Sequence, residues 1–224
     1  MKNKKFRVSL IIFGVAIFIW ATCSTTKIFT SYKATSGSCY PAIKNNERFF
    51  VSALVKPKRL NFICFYTNTQ EWGRIMRVCR LCGLGGDTVQ IKNGILYVNG
   101  KNIDAGLDIA NDYMVTIDVY EKYKDNILAE EEMINPMSPF QVDIRNGIVD
   151  SLKIPAQKLT YPVDSLVDMM SKDITNNINP DHCGPFVVPK NTFFVLGDNR
   201  HSAQDSRYIG FIPERDFAAT VLFK

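Results

Sequence analysis

Hydrophobic and polar positions divide the chain into three regimes. The first is Val8 to Cys23, V-S-L-I-I-F-G-V-A-I-F-I-W-A-T-C, which carries no charge. It falls slightly short of the roughly 20 residues that span a bilayer as a helix. Ser24, Thr25 and Thr26 extend it before Lys27, since a helix can carry hydroxyls at its ends. Lys2, Lys4, Lys5 and Arg7 precede the run, and Trp20 suits an interface. The pattern predicts a transmembrane anchor over residues 8–26, with residues 1–7 cytoplasmic and the bulk of the chain outside. Trp20-Ala21-Thr22 is a poor match to the small-residue site at which a signal peptide is cut, and lipid attachment at Cys23 would need a similar run. Both points favour an uncleaved anchor.

The second regime is short runs rich in β-formers, separated by polar turns. Arg48 to Val55, Leu60 to Tyr66 and Ile75 to Leu84 read as strands. Lys56-Pro57-Lys58-Arg59 separates the first two, and Gly83, Gly85 and Gly86 break the third before Asp87. Thr88–Ile91 and Ile95–Val98 flank Lys92-Asn93-Gly94, and Asn99-Gly100 follows. Asn-Gly between alternating runs is a strong hairpin signal, because both turn residues tolerate positive φ. Two in succession predict a meander. Order of the same kind returns at Pro185, with strands predicted at Phe186–Pro189, Thr192–Leu196, Tyr208–Pro213 and Ala218–Phe223. Gly197 to Arg207 forms a polar loop between them.

The third regime, from about Asp104 to Cys183, is irregular and punctuated by Pro136, Pro139, Pro155 and Pro162. Val163–Ile174 has the spacing of a helix there. Glu130, Glu131 and Glu132 read as a solvated face. The fold expected is therefore mostly β: an antiparallel core in two parts, residues 27–103 and 185–224, interrupted by an inserted α+β subdomain at 104–184.

Composition changes this picture little. Of 224 residues, 46% are hydrophobic and 22% charged, an ordinary globular balance that excludes wholesale disorder. The net charge of +5 is modest and partly spent before the apolar run, so a nucleic-acid partner is not expected. Among six cysteines only Cys79 and Cys82 have C-x-x-C spacing. A structural zinc site needs four ligands, and His182-Cys183 does not supply a second such pair. No metal or cofactor is expected. The cysteines read as ordinary buried residues, with a Cys79–Cys82 disulfide left open.

Candidate chemistry starts at Ser36-Gly37-Ser38-Cys39-Tyr40-Pro41. Glycine and proline shape a turn that can hold a hydroxyl exposed, although such a stretch taken alone is usually a surface turn. Two later blocks change its weight: R-L-C-G-L-G-G-D-T-V (Arg80–Val89) and F-V-L-G-D-N-R-H-S-A-Q-D-S-R-Y-I-G-F-I-P (Phe194–Pro213). In order, and behind an N-terminal anchor, the three blocks resemble type I signal peptidases. The likeness covers the anchor, Ser36 to about Lys101, and Pro185 to Lys224.

That resemblance implies a β catalytic core at the outer face of the cell membrane and endoproteolysis that frees secreted preproteins from their signal peptides. It also implies a serine–lysine dyad, in which a neutral lysine of lowered pKa takes the proton of the attacking serine. By the same resemblance Ser38 matches the nucleophile and Ser36 the hydroxyl of the oxyanion hole. Arg80, Asp198, Asp205 and Arg207 match a charged structural network, and Gly197 with Asp198 the loop over the site.

Two positions depart from the family. Cys79 stands where the general-base lysine belongs, and no lysine lies between Lys58 and Lys92. Ala203 stands where a serine orients that lysine, with Ser202 one residue earlier. Gly85 replaces a usual proline, which bears on turn stiffness. Arg77 shares the Cys79 face of its strand by period two, but a guanidinium cannot accept a proton at neutral pH.

Three readings follow. The first is a degenerate homologue, a pseudoenzyme that binds signal peptides or pairs with an active peptidase. The second is an active peptidase with a substitute base, for which His201 is the candidate and Cys79 a weaker one. The third is an anchored structural or redox protein using Cys79-x-x-Cys82, disfavoured because redox motifs of this kind usually begin a helix.

Overall fold

The computed structural model describes residues 2–25, 28–128, 137–163, 165, 170–174 and 177–224. Its elements alternate short strands with few helices. Helix α1 (Lys2–Thr25) leads into β1 (Thr30–Lys33), β2 (Arg48–Ser52), β3 (Phe62–Thr69) and β4 (Gly73–Leu84). Strands β5 (Thr88–Lys92), β6 (Ile95–Val98) and β7 (Lys101–Asn102) come next. The middle of the chain forms β8 (Ala110–Val115), α2 (Ile117–Tyr123), β9 (Ile127–Leu128), β10 (Phe140–Arg145), α3 (Asn146–Leu152) and β11 (Gln157–Lys158). The last part comprises β12 (Asn177–Asn179), β13 (His182–Val187), β14 (Thr192–Leu196), α4 (Ser206–Ile209), β15 (Ile212–Pro213) and β16 (Phe217–Phe223).

The strands pair antiparallel in three sheets, in the orders β1-β2-β16-β3-β4-β14-β15, β12-β13-β5-β6-β7 and β11-β8-β10-β9. The first draws its strands from both ends of the chain, so residues far apart in sequence meet on one surface. Its β4 and β14 pack through Cys82, Phe194 and Leu196 onto Val89, Ile91, Leu96 and Phe186 of the second sheet. Burial of these side chains, at about 25 cal/mol per Å² of apolar surface, holds the two sheets together. The third sheet closes a separate core of Tyr113, Val115, Phe140, Val142, Ile144 and Ile154.

The meander forms as expected. Asn93 (φ 52°) and Gly94 (φ 70°) turn β5 into β6, and Asn99 (φ 51°) and Gly100 (φ 76°) turn β6 into β7. Other expectations change. Tyr208 and Ile209 belong to a short helix, because the Asp205 carboxylate caps its first turn by accepting from Arg207 N; only Ile212–Pro213 of that run is strand. Within Val163–Ile174 the described residues lie in turns, bends and irregular chain; Asp164 and residues 166–169 fall outside the description, as do Glu130–Glu132.

The C-x-x-C pair also separates. Cys79 lies with Ile63, Phe65 and Leu81, whereas Cys82 lies with Val89 and Cys183. An odd spacing on a strand sends the two thiols to opposite faces, which excludes a Cys79–Cys82 disulfide and a shared metal. Burial pushes the Cys82 thiol up to about 12, the reverse of what a redox thiol needs. Gly85 does more than soften a turn: a Cβ there would sit 3.0 Å from the Pro189 carbonyl oxygen and 3.1 Å from Lys190 Cα, so the glycine lets two backbone segments approach closely.

Among the described residues no helix is long and apolar enough to cross a membrane. The 24-residue backbone of α1 is described throughout. The side chains of Lys2–Lys5, Arg7, Ile19, Trp20 and Cys23–Thr25 lie outside the description, so the expectations placed on Trp20 and Cys23 do too.

Candidate active site

Ser38 opens a turn rather than a strand. Tyr40 N donates to Gly37 O at 2.9 Å and Ile43 N to Cys39 O at 2.9 Å, a tight coil that Ile43 and Cys39 anchor in the core. The Ser38 carbonyl accepts from Asn199 N at 3.1 Å, which docks the turn onto the Gly197–Arg207 loop. Gly197 makes that docking close, since a Cβ on it would lie 2.5 Å from the Ser38 carbonyl oxygen and 2.2 Å from the Ala203 Cβ. Any side chain at 197 would push the loop off the turn.

The side chains expected to act together do meet. Ser36 Oγ and Ser38 Oγ are hydrogen-bonded at 3.0 Å. Both line a cavity of about 450 Å³ whose wall includes Cys39, Cys64, Arg77 and Cys79. Cys79 is 3% exposed. Its hydrogen bond with the Cys39 thiol, and then burial, hold its own thiol protonated well above the ordinary cysteine range. Ser202 also lines the cavity, but its hydroxyl donates to Asp143 Oδ2 of β10 at 3.2 Å. Arg77 spends its guanidinium on Gln204 Oε1 at 2.7 Å and Thr67 Oγ1 at 3.0 Å. Lys33 reaches the cavity from the exposed end of β1.

His201 goes elsewhere. Its Nε2 lies 3.0 and 3.1 Å from the two oxygens of Asp181, and its Nδ1 lies 3.8 Å from Asp112 Oδ2. The ring lines a second cavity with Asp112, Gln141 and Tyr161, and is absent from the residues lining the Ser38 cavity. The loop turns it towards Asp181, whose carboxylate lies within hydrogen-bonding distance of Nε2, and towards Asp112 of the third sheet. The structure therefore does not bring the candidate substitute base to Ser38.

The four charged residues form two buried pairs. Arg80 clamps Asp198 with two nitrogens, Nε to Oδ1 at 2.7 Å, and its guanidinium lies 4.2 Å from the Phe62 ring centroid. Arg207 grips Asp205 through Nε at 2.9 Å and a terminal nitrogen at 2.8 Å. Asp205 also accepts from Gly197 N at 3.0 Å, so this second pair fixes the start of the loop that covers Ser38.

Sequence reasoning left two features unread. One is Cys39 as the neighbour of Cys79; its place directly after Ser38 was visible, its direction was not. The other is the acidic group Asp112, Asp143 and Asp181. Burial first, then Asp143, push Asp112 up to about 8. Asp112 and Asp143 lie directly opposite each other on β8 and β10, a register that exists only once the sheet has formed. Among the described residues no His, Cys, Asp or Glu cluster has the arrangement of a metal site.

Residues 6–224 match the family described as signal peptidase, peptidase S26, and the chain belongs to that family. It is 30% identical over 205 residues to a signal peptidase I of Aquifex aeolicus (strain VF5), covering 84% of this chain and 72% of that one. It is 26% identical over 205 residues to signal peptidase I S of Bacillus subtilis (strain 168), covering 88% and 76%. Among solved structures, a signal peptidase I from Enterococcus faecalis V583 aligns with TM-score 0.36 at 22% identity, over 76% of this chain and all of that one.

Proposed function

We propose that this chain is a membrane-anchored, catalytically degenerate signal peptidase that binds the signal peptides of secreted preproteins in the Ser38 cavity and hydrolyses them weakly or not at all. The observation that carries the reading is Cys79. By the family resemblance its position is the one a general base would hold; it lines the Ser38 cavity, and its thiol is buried and held protonated. A serine hydroxyl with no acceptor is a weak nucleophile, and loss of one member of a catalytic unit commonly leaves only about 10³- to 10⁴-fold acceleration over water. The other lining residues are engaged elsewhere: Arg77 bonds Thr67 and Gln204, and Lys33 is exposed at the end of β1.

Two features support peptide binding. Ser36 and Ser38 stand together, and Gly197 keeps the covering loop close. The anchor is α1, whose 24 residues extend about 36 Å at 1.5 Å per residue. Its side chains from Val8 to Phe18 are exposed, with Phe6 at 69% and Phe18 at 72%, an apolar surface suited to lipid. The basic residues before it favour a cytoplasmic N-terminus and an extracytoplasmic β core. Within residues 104–184, the third sheet (Ala110–Lys158) and its separate core support an inserted subdomain, whereas Asn177–Asn179 and His182–Val187 pair within the second sheet.

Purified full-length protein in detergent, given a fluorescent preprotein, is expected to bind it without cleavage above the level of Ser38→Ala. Restoring the missing parts, Cys79→Lys with Ala203→Ser, is expected to raise cleavage at least about 10²-fold, the usual contribution of a positioned base. Cleavage by the unaltered protein that Ser38→Ala abolishes would overturn the degenerate reading.

A further inference from the structure

The third sheet is fastened directly to the loop that covers Ser38. Ala110, the first residue of β8, donates its N–H to the Asp198 carbonyl at 2.9 Å and accepts from Arg200 N at 3.0 Å, so the loop meets β8 in a parallel bridge at Asn199. Side chains add to these backbone bonds. Asn199 Nδ2 donates to Asp143 Oδ2 at 2.7 Å, and the Ser202 hydroxyl donates to the same oxygen at 3.2 Å. One carboxylate of β10 thus holds two residues of the loop. Each of the two is tied to the site. Asn199 N donates to the Ser38 carbonyl at 3.1 Å, and Ser202 lines the Ser38 cavity. Asn199 is 1% exposed, and its Oδ1 has no hydrogen-bond partner among the described residues, so its side chain depends on Asp143.

We infer that Asp143 is a positioning residue for Ser38: through Asn199 it holds the Gly197–Arg207 loop against the Ser38 turn, and through Ser202 it sets part of the cavity wall. Asp205, gripped by Arg207, fixes the loop where it starts, at Gly197 N. Asp143 fixes its middle, which gives the inserted sheet a task in the site. Loop and turn are in close contact at Gly197, where a Cβ would lie 2.5 Å from the Ser38 carbonyl oxygen. Movement of the loop is therefore felt at Ser38, and a misplacement of about 1 Å at a reacting group is costly. A hydrogen bond to a carboxylate is stronger than one between neutral groups, and its loss leaves the buried Asn199 amide unpaired. The inference rests on the proposed function only in taking Ser38 as the mark of the site. It does not require the cavity to bind or cleave a peptide.

Hydrogen–deuterium exchange of the full chain in detergent, read by mass spectrometry at fixed pH, tests it. In Asp143→Leu, peptides covering Ser36–Ile43 and Gly197–Gln204 should exchange about 10-fold faster, the scale of one lost hydrogen bond to a carboxylate. Peptides of β5 and β6 should not change. Asp143→Asn keeps an acceptor oxygen and should stay close to the unaltered protein. Adding Asn199→Ala to Asp143→Leu should change little more, because both remove the same bond. Tyr113→Phe is the control for general loosening. It removes a 3.0 Å bond to Asn146 from the third sheet without touching the loop, and should leave both peptides unchanged. A fluorescent preprotein gives a second readout, with Kd several-fold weaker in Asp143→Leu and unaltered in Tyr113→Phe. Thermal melting reports the folding of each variant.

A folded Asp143→Leu protein with unchanged exchange over Ser36–Ile43 would overturn the proposal, as would an equal rise in Tyr113→Phe. Should Asp143→Leu fail to fold, Ser202→Ala, at an exposed position, carries the test, and no rise in its Gly197–Gln204 peptide would overturn the proposal. If the unaltered protein binds no preprotein, the signal-peptide reading fails alone and exchange still decides the role of Asp143.

Discussion

Two buried acids, Cys79 and Asp112, stay protonated for different reasons, and the difference predicts behaviour. Cys79 is held mainly by its hydrogen bond with Cys39 and gains nothing from ionising. Asp112 is held first by burial and then by Asp143 opposite it, with Asp181 adding negative charge and Gln141 partly opposing. The folded protein keeps the Asp112 proton to about pH 8, whereas the unfolded chain releases it near 3.8. Between those values the folded state binds more protons than the unfolded one, so stability falls as pH rises and levels off above about 8. Asp181, held low despite its burial by His201 and Tyr161 N, acts with the opposite sign and only in acid. Thermal melts of the unaltered protein are expected to shift downwards from about pH 5 to pH 8. Asp112→Asn, neutral at every pH and close in shape, should flatten that slope. An unchanged slope in the variant would assign the effect to another group.

At the scale of elements, what could be read from the sequence was what local backbone chemistry decides. The Asn93-Gly94 and Asn99-Gly100 turns dictate their hairpins, because few other residues accept positive φ at both positions. The strands of the first sheet follow their β-forming runs. Departures came where one particular side-chain contact outweighs the composition of a run. Tyr208 and Ile209 have strand composition, but Asp205 caps them into a helix while it pairs with Arg207. His201 has the right chemistry for a base, and Asp181 draws it away from Ser38. The candidate site was legible up to the same limit: the sequence blocks single out Ser36, Ser38 and Cys79, which line one cavity, but do not point to Cys39 beside them. The Arg80–Asp198 clamp shows how strongly one element can lean on a single pair. Asp198 is 1% exposed and lies beside the loop over Ser38. Arg80→Ala would leave that carboxylate buried without its partner, at a cost of about 3–5 kcal/mol. The double change Arg80→Ala with Asp198→Asn removes the stranded charge and should recover part of the loss. Urea denaturation of the detergent-solubilised variants measures both, and equal losses in the single and double variants would count against the pair as the cause.

For the whole molecule, the proposed anchor and its orientation rest on the basic cluster before Val8 and the apolar run after Arg7, and both can be tested. The β core folds around its own sheets and leaves the apolar surface of α1 uncovered, with Ile11, Ile12 and Phe13 all more than 60% exposed. Burying that surface in lipid is worth roughly 25 cal/mol per Å², which far exceeds any surface electrostatic attraction. The full chain is therefore expected to stay with membranes through high salt and alkaline carbonate. Orientation is a separate matter, decided by the basic cluster rather than by the apolar run. With Lys2, Lys4, Lys5 and Arg7 in place, external protease should degrade the β core of intact spheroplasts. Exchanging these four for glutamine, and adding lysines after Thr26, should leave the protein membrane-bound but shelter a fraction of the core from protease. A β core protected in the unaltered protein would reverse the topology and remove the signal-peptide reading with it, since the Ser38 cavity would then face the wrong compartment. Release by carbonate would instead show that α1 does not anchor the chain.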